Sequence, residues 1–124
     1  MDSSKAESNS PAYRRILIIT DGVFSVDGDM APLDRIASAA HDHGAMGYVD
    51  DAHGEGVLGD GGRGIVSHFK LHRDRVQVEM GTFSKAFGVV GGHVSGSRDL
   101  VNFAYNKSRT WLLSGSHPPA VVAA

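Results

Sequence analysis

Two short apolar runs with a helical segment between them constrain the fold of this chain more than any other feature. The run RRILIIT, at residues 14–20, is rich in β-branched side chains and ends before Asp21 and Gly22, which is typical of a buried strand. The segment PLDRIASAAHDHG, at 32–44, has apolar residues at helical spacing and a final glycine that should end the helix. AMGYVDDAHG, at 45–54, is predicted to be a second buried strand. We expect the two strands to be parallel, because parallel neighbours need such a crossover.

The rest of the chain continues this alternation. RVQVEMGT, at 75–82, predicts a third strand, VVGGHVSGS, at 89–97, a fourth, and RDLVNFAYNKS, at 98–108, a second helix. The expected fold is therefore α/β, with a mostly parallel sheet and flanking helices. Residues 1–13 are polar and poor in apolar side chains, and we expect them to form a disordered tail.

Composition excludes several classes of protein. The 124 residues include no cysteine, so disulfides, thiolate catalysis and zinc–thiolate sites are excluded. The formal net charge is -2, and acidic and basic residues are interleaved without the basic run that a nucleic-acid or membrane surface would need. The apolar run ILII is far shorter than the ~20 residues of a membrane span. We therefore expect a cytoplasmic protein without nucleic-acid or membrane partners.

Polar side chains follow three of the predicted strands. Asp21 and Ser25 follow the first strand, Asp50 and His53 end the second, and the segment 82–85 follows the third. Ligands of parallel α/β sheets bind at the carboxyl ends of the strands. The three loops should therefore meet in one place.

Other interpretations of these polar residues stay open. Asp50 could equally cap a helix or form a salt bridge to an arginine such as Arg63. His53 alone is more often structural than catalytic. A metal site built from Asp50, Asp51 and His53 has no further ligand at a suitable spacing. The segment DGDM, at 27–30, begins like a calcium loop, but the two residues after it do not fit one.

Lys85 lies in the glycine-rich segment GTFSKAFGVVGG, at 81–92. An exposed loop lysine is the ordinary interpretation, and the spacing of a Walker loop is absent. A lysine in partly desolvated surroundings has a lowered pKa, however, and can form a Schiff base. The hydroxyls of Thr82 and Ser84 could hold a phosphate beside it, and Asp50 could keep a pyridine nitrogen protonated. Together these groups predict a site for pyridoxal phosphate.

Three segments of the sequence carry a resemblance to a known family. TDGVFSVDGDMAPL, VDDAHGEGVLGDGGRG and GTFSKAFGVVGG together resemble the α-oxoamine synthases, pyridoxal phosphate enzymes with the aspartate aminotransferase-like (fold type I) fold. The resemblance covers about residues 14–124 and implies that they are a central fragment of the large, cofactor-binding domain. Within the family, the sequence looks most like the glycine C-acetyltransferases, also called 2-amino-3-ketobutyrate CoA ligases, and next like the 8-amino-7-oxononanoate synthases.

The resemblance also implies roles for individual residues. Lys85 would carry the cofactor and later move a proton at the substrate α-carbon, while Asp50 would pair with the pyridine nitrogen and His53 with the 3-oxygen of the ring. The remaining residues implied to bind the cofactor are Thr82, Ser25 and Ser84. Asp51 would be a neighbour and not the ring partner. Ser114 or Ser116, in the segment SGSHPPA, would reach the cofactor phosphate of the second subunit of a homodimer.

The reaction implied by the resemblance is a condensation. Glycine and a short acyl-CoA would give an α-amino ketone, with release of CoA. Members of the family carry further cofactor and substrate groups upstream and downstream of the matching segments. Two other classes stay open: a truncated domain without catalytic activity, and a nucleotide-binding module, although the latter should have G-x-G-x-x-G after its first strand.

Overall fold

The computed structural model of the 124-residue chain describes residues 13–72 and 74–124. The predicted disordered tail, 1–13, therefore lies outside the described residues except for the exposed Tyr13. The strands are β1 (Leu17–Asp21), β2 (Met46–Asp50), β3 (Val78–Thr82) and β4 (Gly92–Gly96). The α-helices are α1 (Leu33–Asp42), α2 (Ile65–His68), α3 (Arg98–Lys107), α4 (Arg109–Leu113) and α5 (Pro119–Ala123), and a 3₁₀ helix covers Asp60–Gly62.

The four strands form one sheet in the order β1-β2-β3-β4. β1 pairs with β2 and β2 with β3 in parallel, whereas β4 pairs antiparallel with β3. The direction of β4 follows from the connection 83–91, which is too short for the crossover of a dozen or more residues that a parallel strand requires. The predicted mostly parallel sheet with flanking helices is confirmed.

The strand register aligns the polar residues at one edge of the sheet. Asp21 lies beside Asp50, and Asp50 lies beside Met80, so the carboxyl ends of the three parallel strands are level. Side chains alternate between the two faces along each strand. Asp50, Met80 and Thr82 therefore share one face, here called the site face, whereas Glu79 and Gly81 lie on the opposite face.

The hydrophobic core lies beside β2 and is small. Leu33 of α1, Val49 of β2, Ile65 of α2 and Val76 form the buried cluster. The helix α1 begins one residue after Pro32, which the sequence had suggested as its first residue.

Helix α1 ends before Gly44, as predicted. Gly44 has φ +61°, the left-handed conformation that glycine adopts without strain, and the amide of Ala45 returns to the carbonyl of Ala40 at 2.8 Å. The chain is thereby turned directly into β2.

The C-terminal helices are more exposed than α1. Ser97 caps α3, its hydroxyl accepting a hydrogen bond from the amide of Leu100 at 3.2 Å, but α3, α4 and α5 contain no buried residue. Helices α2 and α4 were not predicted from the sequence. None of the helices in 13–72 and 74–124 has the length and apolar character that crossing a bilayer requires.

Candidate functional site

Asp50 occupies the centre of the strand-end edge. Its side chain is half-buried, and Oδ1 accepts a hydrogen bond from the amide of Ala52 at 3.0 Å. This bond closes a short turn and not the first turn of a helix, so Asp50 is not the predicted helix cap. Within the described residues Asp50 forms no salt bridge with Arg63. The other carboxylate oxygen, Oδ2, forms no hydrogen bond with the described residues and can accept one from a ligand.

Asp51 points into the core instead. It is 1% exposed, and its Oδ2 accepts a hydrogen bond from the amide of Ile65 at 2.8 Å. Burial raises the pKa of Asp51 to about 6, the Ile65 amide partly offsets this rise, and the negative charges of Glu55 and Asp50 add to it. Asp51 thus fixes the loop that leads to α2 and does not share the edge position of Asp50. No group of three or more His, Cys, Asp or Glu side chains in the described part of the chain could hold a metal ion.

His53 lies on the loop that follows β2. Its side chain is half-buried and forms no hydrogen bond with the described residues. Further along this loop, Gly56 packs directly on the lysine segment: a Cβ at Gly56 would lie 2.5 Å from the Cβ of Ala86 and 3.7 Å from Cζ of Phe87. The loop of His53 therefore lies against the residues that immediately follow Lys85.

Lys85 lies on a turn between β3 and β4, here called the lysine turn (residues 83–91). Two backbone hydrogen bonds close it, from the Phe83 amide to Gly91 at 2.9 Å and from the Val89 amide to Phe83 at 2.8 Å. The side chain of Lys85 is exposed. The partly desolvated surroundings expected from the sequence are therefore not supplied by the described residues.

Two hydroxyls precede Lys85 on the same turn. Thr82 Oγ1 and Ser84 Oγ lie 2.8 Å apart, and Thr82 also donates to the carbonyl of Gly91 at 3.2 Å. The amide of Ser84 donates to Thr82 Oγ1 at 3.3 Å. This concentration of hydroxyl and amide donors next to an amine suits an anionic group such as a phosphate.

The remaining predicted residues are three exposed serines. Ser25 lies in a loop whose base is the bridge between Val23 and Met30, and its side chain forms no hydrogen bond with the described residues. Ser114 and Ser116 lie in the segment that precedes His117. The structure thus brings Asp50 and Thr82 to one edge, with the lysine turn beside the loop of His53.

Several residues near the site were not predicted from the sequence. On the face opposite Asp50, Glu55 and His93 form a contact of 3.3 Å between Oε1 and Nε2. Burial raises the pKa of Glu79 to about 7, and the charges of Asp51 and Glu55 add to this rise. His117 packs on the end of the lysine turn, where a Cβ at Gly91 would lie 3.1 Å from its Cδ2. The one sequence signal for these residues was Glu79, an acidic residue within the alternating run that predicted β3.

The groups at the edge of the sheet fit pyridoxal phosphate. Lys85 provides an amine, Thr82 and Ser84 provide hydroxyls for a phosphate, and Asp50 provides a carboxylate oxygen at the strand end. These are the amine, anion site and acid that the cofactor needs. The residues therefore define a candidate site of a pyridoxal phosphate protein.

Comparison with known proteins identifies the family. The model of the aminotransferase class I and II family matches residues 1–124, so the chain belongs to this family, whose cofactor is pyridoxal phosphate. The chain is similar to 8-amino-7-oxononanoate synthase from Symbiobacterium thermophilum, with 60% identity over 112 residues that cover 90% of this chain and 28% of that protein. It is also similar to 8-amino-7-oxononanoate synthase 1 from Bacillus subtilis, with 50% identity over 99% of this chain and 31% of that protein.

A solved structure supports the same assignment. Serine palmitoyltransferase from Sphingomonas wittichii superposes with a TM-score of 0.84 at 36% identity, over 93% of this chain and 29% of that one. The chain thus spans less than a third of the length of these relatives. The predicted fold, cofactor and α-oxoamine synthase family are confirmed. The narrower resemblance to glycine C-acetyltransferases is less well supported than the one to 8-amino-7-oxononanoate synthases.

Proposed function

We propose that this chain supplies the cofactor-binding centre of an α-oxoamine synthase that condenses an amino acid with an acyl thioester. The observation that carries the proposal is the convergence of Asp50, the Thr82–Ser84 hydroxyl pair and the lysine turn at one edge of the sheet. Membership of a pyridoxal phosphate family supports it. In this proposal residues 14–124 are part of the large domain of a longer enzyme.

Each residue of the edge has a definite task in this reaction. Bound pyridoxal phosphate supplies an electron sink for the carbanion at the α-carbon of the amino acid. Lys85 would hold the cofactor through Nζ, and the same atom, as a free amine, would move the α-proton of the amino acid. The oxygen of Asp50 that is not used by Ala52 keeps a proton on the pyridine nitrogen.

The other groups bind and orient. His53 donates a hydrogen bond to the 3-oxygen of the cofactor ring, which fixes the ring plane. Thr82 and Ser84 would donate their hydroxyl hydrogens to the phosphate, which requires Thr82 to release the carbonyl of Gly91 and the two hydroxyls to give up their mutual hydrogen bond. Ser25 contacts the cofactor from the loop after β1. Since Ser25 is exposed and its side chain forms no hydrogen bond with the described residues, we expect it to contribute least.

The substrates follow from the comparison with relatives. An 8-amino-7-oxononanoate synthase makes a nine-carbon product, which corresponds to alanine joined to a seven-carbon dicarboxylic acyl thioester with loss of carbon dioxide and thiol. The 60% identity to such a synthase favours this pair of substrates. Glycine with a short acyl-CoA is the alternative, supported by the motifs DDAHGEGVLG and FSKAFGVVGG.

The substrate choice is tested on the full-length protein that contains this chain. Alanine with pimeloyl thioester and glycine with acetyl-CoA are compared by kcat/KM. A preference for the first pair supports the 8-amino-7-oxononanoate synthase assignment. A preference for the second pair would return the assignment to glycine C-acetyltransferase.

A homodimer is part of the proposal. Trp111, Leu112 and Leu113 are exposed by 52%, 55% and 81%, next to the segment 114–120 that the resemblance places at the neighbouring active site. Exposed apolar side chains in one group are typical of interfaces. We expect concentration-dependent self-association in sedimentation, reduced by Leu113→Asp, and a monomer at all concentrations would contradict it.

Covalent labelling tests the cofactor site directly. The chain is incubated with pyridoxal phosphate, reduced with borohydride and digested, and the label is located by mass spectrometry. We expect it at Lys85, with the exposed Lys70 and Lys107 as internal controls for nonspecific reaction. Labelling should be weak in this chain and strong in the full-length protein. Equal labelling of all three lysines, or no change in total label with Lys85→Ala, would overturn the cofactor role and favour a domain without catalytic activity.

A further inference from the structure

A histidine and a glutamate meet on the sheet face opposite Asp50. His93 of β4 lies directly opposite Gly81 of β3, and Glu55 extends from the loop that follows His53. Their side chains contact at 3.3 Å between Glu55 Oε1 and His93 Nε2. The contact therefore connects the loop after β2 to the strand after the lysine turn.

Gly81 makes room for this contact. A Cβ at Gly81 would lie 2.5 Å from Cε1 of His93 and closer still to Oε2 of Glu55. No side chain other than hydrogen fits there without moving both partners. The close approach of Glu55 and His93 thus depends on a glycine in the middle of the sheet.

His93 also contacts the lysine turn through aromatic rings. Its ring stacks on Phe83, with centroids 5.3 Å apart and an interplanar angle of 22°, and Phe83 packs edge to face on Phe87 at 6.0 Å. Phe83 and Phe87 stand two residues before and two after Lys85. A continuous series of contacts thus runs from Glu55 to the residues that flank the lysine.

The pair is only partly exposed, with 34% of the His93 side chain and 23% of the Glu55 side chain accessible to solvent. Glu55 Oε2 and His93 Nδ1 are buried and have no hydrogen-bond partner among the described residues. The contact between Oε1 and Nε2 is the one polar interaction between these side chains that the described part of the chain shows. Removing either partner would leave the other side chain, which is partly buried, without that interaction.

We propose that Glu55 and His93 are positioning residues that fix the lysine turn against the loop of His53. Neither contacts the cofactor: Glu55 acts through His93, and His93 through Phe83. The neighbouring contact of Gly56 with Ala86 joins the same loop and turn at a second point. The inference rests on the proposed function, since that function gives the relative position of Lys85 and His53 its importance.

The first test measures the turn in the protein without cofactor. Hydrogen exchange is followed at the amides of Phe83 and Val89, which close the lysine turn. Glu55→Ala should speed their exchange by about fivefold, the upper end of the effect expected for losing one partly exposed salt-bridge contact, without changing exchange at Tyr48 of β2. Glu79→Gln is the matched control. It removes a half-buried carboxylate that lies on the same sheet face but does not pair with His93.

The second test measures the ratio of label at Lys85 to label at Lys107 after borohydride reduction. Glu55→Ala should lower this ratio by about fivefold, and Glu55→Gln, which keeps a hydrogen-bonding group at the same place, should restore most of it. His93→Phe keeps the ring that stacks on Phe83 but cannot bond to Glu55, so it should match Glu55→Ala. Rescue by glutamine is not expected if the glutamate acts only through its long-range charge. The match between His93→Phe and Glu55→Ala separates the polar contact from the bulk of the side chain at position 55.

A double-mutant cycle and the wild-type label separate the possible outcomes. If the residues act as a pair, Glu55→Ala combined with His93→Phe should be no worse than either change alone. Additive effects, or unchanged exchange and labelling in Glu55→Ala, would overturn the pair while leaving the cofactor site intact. Absence of label at Lys85 in the wild-type protein would instead overturn the proposed function. The exchange rates alone would then show whether Glu55 and His93 fix the lysine turn.

Discussion

The described chain consists of two regions that are stabilised differently. In the first, residues 13–82, three parallel strands and α1 enclose the core, and all the buried hydrophobic residues lie between Ala31 and Val78. In the second, residues 92–124, β4 is an exposed edge strand and the helices have no buried residue. The lysine turn joins the two regions. Asp50, His53 and Thr82 are therefore held by a packed core, whereas Lys85 depends on the closure of one turn.

The second region is held together by local contacts. Tyr105 of α3 packs edge to face on Trp111 of α4, with centroids 5.0 Å apart, and Ser108 caps α4 by accepting from the amide of Trp111. Such contacts order neighbouring helices but bury little apolar surface. We therefore expect the first region to determine the free energy of unfolding of this chain, and the second to contribute little.

The largest expected effect is a cavity in the first region. Ile65 is 0% exposed, packs in the cluster with Val49, and its amide donates to Asp51. Ile65→Ala should lower the free energy of unfolding by about 2 to 5 kcal/mol. Urea denaturation followed by circular dichroism measures the change.

The matched control lies in the second region. Leu113 is 81% exposed, so Leu113→Ala should change the free energy of unfolding by less than about 0.5 kcal/mol. Comparable losses in Ile65→Ala and Leu113→Ala would show that the two regions share one core, and would contradict the comparison.

A smaller effect is expected from the buried acids of the first region. The pKa of Glu79, raised to about 7 from 4.5, means that the folded protein binds the proton more tightly than the unfolded chain. The stabilisation by protonated Glu79 is complete below about pH 4.5 and is lost as the pH rises through about 7, in total about 2 kcal/mol after allowance for partial solvent exposure. Asp51, with a pKa of about 6, acts in the same direction over a lower range.

Glu79→Gln should remove most of this pH dependence. The variant should be more stable than the wild type at pH 8 and nearly equal to it at pH 4.5, as measured by urea midpoints at both values. Asp99→Asn, at an exposed position in the first turn of α3, is the control and should change stability by less than about 1 kcal/mol. An unchanged pH profile in Glu79→Gln would show that Glu79 is fully solvated.

Much of the fold could be predicted because its signals are local. Alternation and β-branched runs identified the four strands, and Gly44 identified the end of α1. Helix α2 was missed because four residues after a glycine-rich loop carry no periodicity. The antiparallel direction of β4 follows from the short lysine turn. The length of that turn can be known only when the bounds of β3 and β4 are known.

The candidate site was predictable in part for the same reason. Asp50 and Thr82 lie at strand ends, so strand assignment was enough to bring them together. The contact of Glu55 with His93 could not be predicted, because it joins a loop to strand β4, and the register of that strand is set by tertiary packing. The exposure of Lys85 agrees with the ordinary interpretation of a loop lysine. The desolvation that a Schiff base favours could not be predicted, since it depends on which parts of a polypeptide cover the turn.

The smallest expected effect gives the sharpest comparison of the two regions, because two glycines differ only in where they lie. Gly44 and Gly115 have φ of +61° and +69°, and a Cβ at either position would meet nothing within 4 Å. Alanine at each position therefore carries the same strain, about 1 kcal/mol, with no steric clash. Gly44→Ala should cost that amount in global unfolding, because α1 and β2 must keep their packed positions. Gly115→Ala should cost almost nothing, because the exposed helices α4 and α5 can shift without uncovering a core. Equal destabilisation by the two alanines would mean that the second region unfolds together with the first.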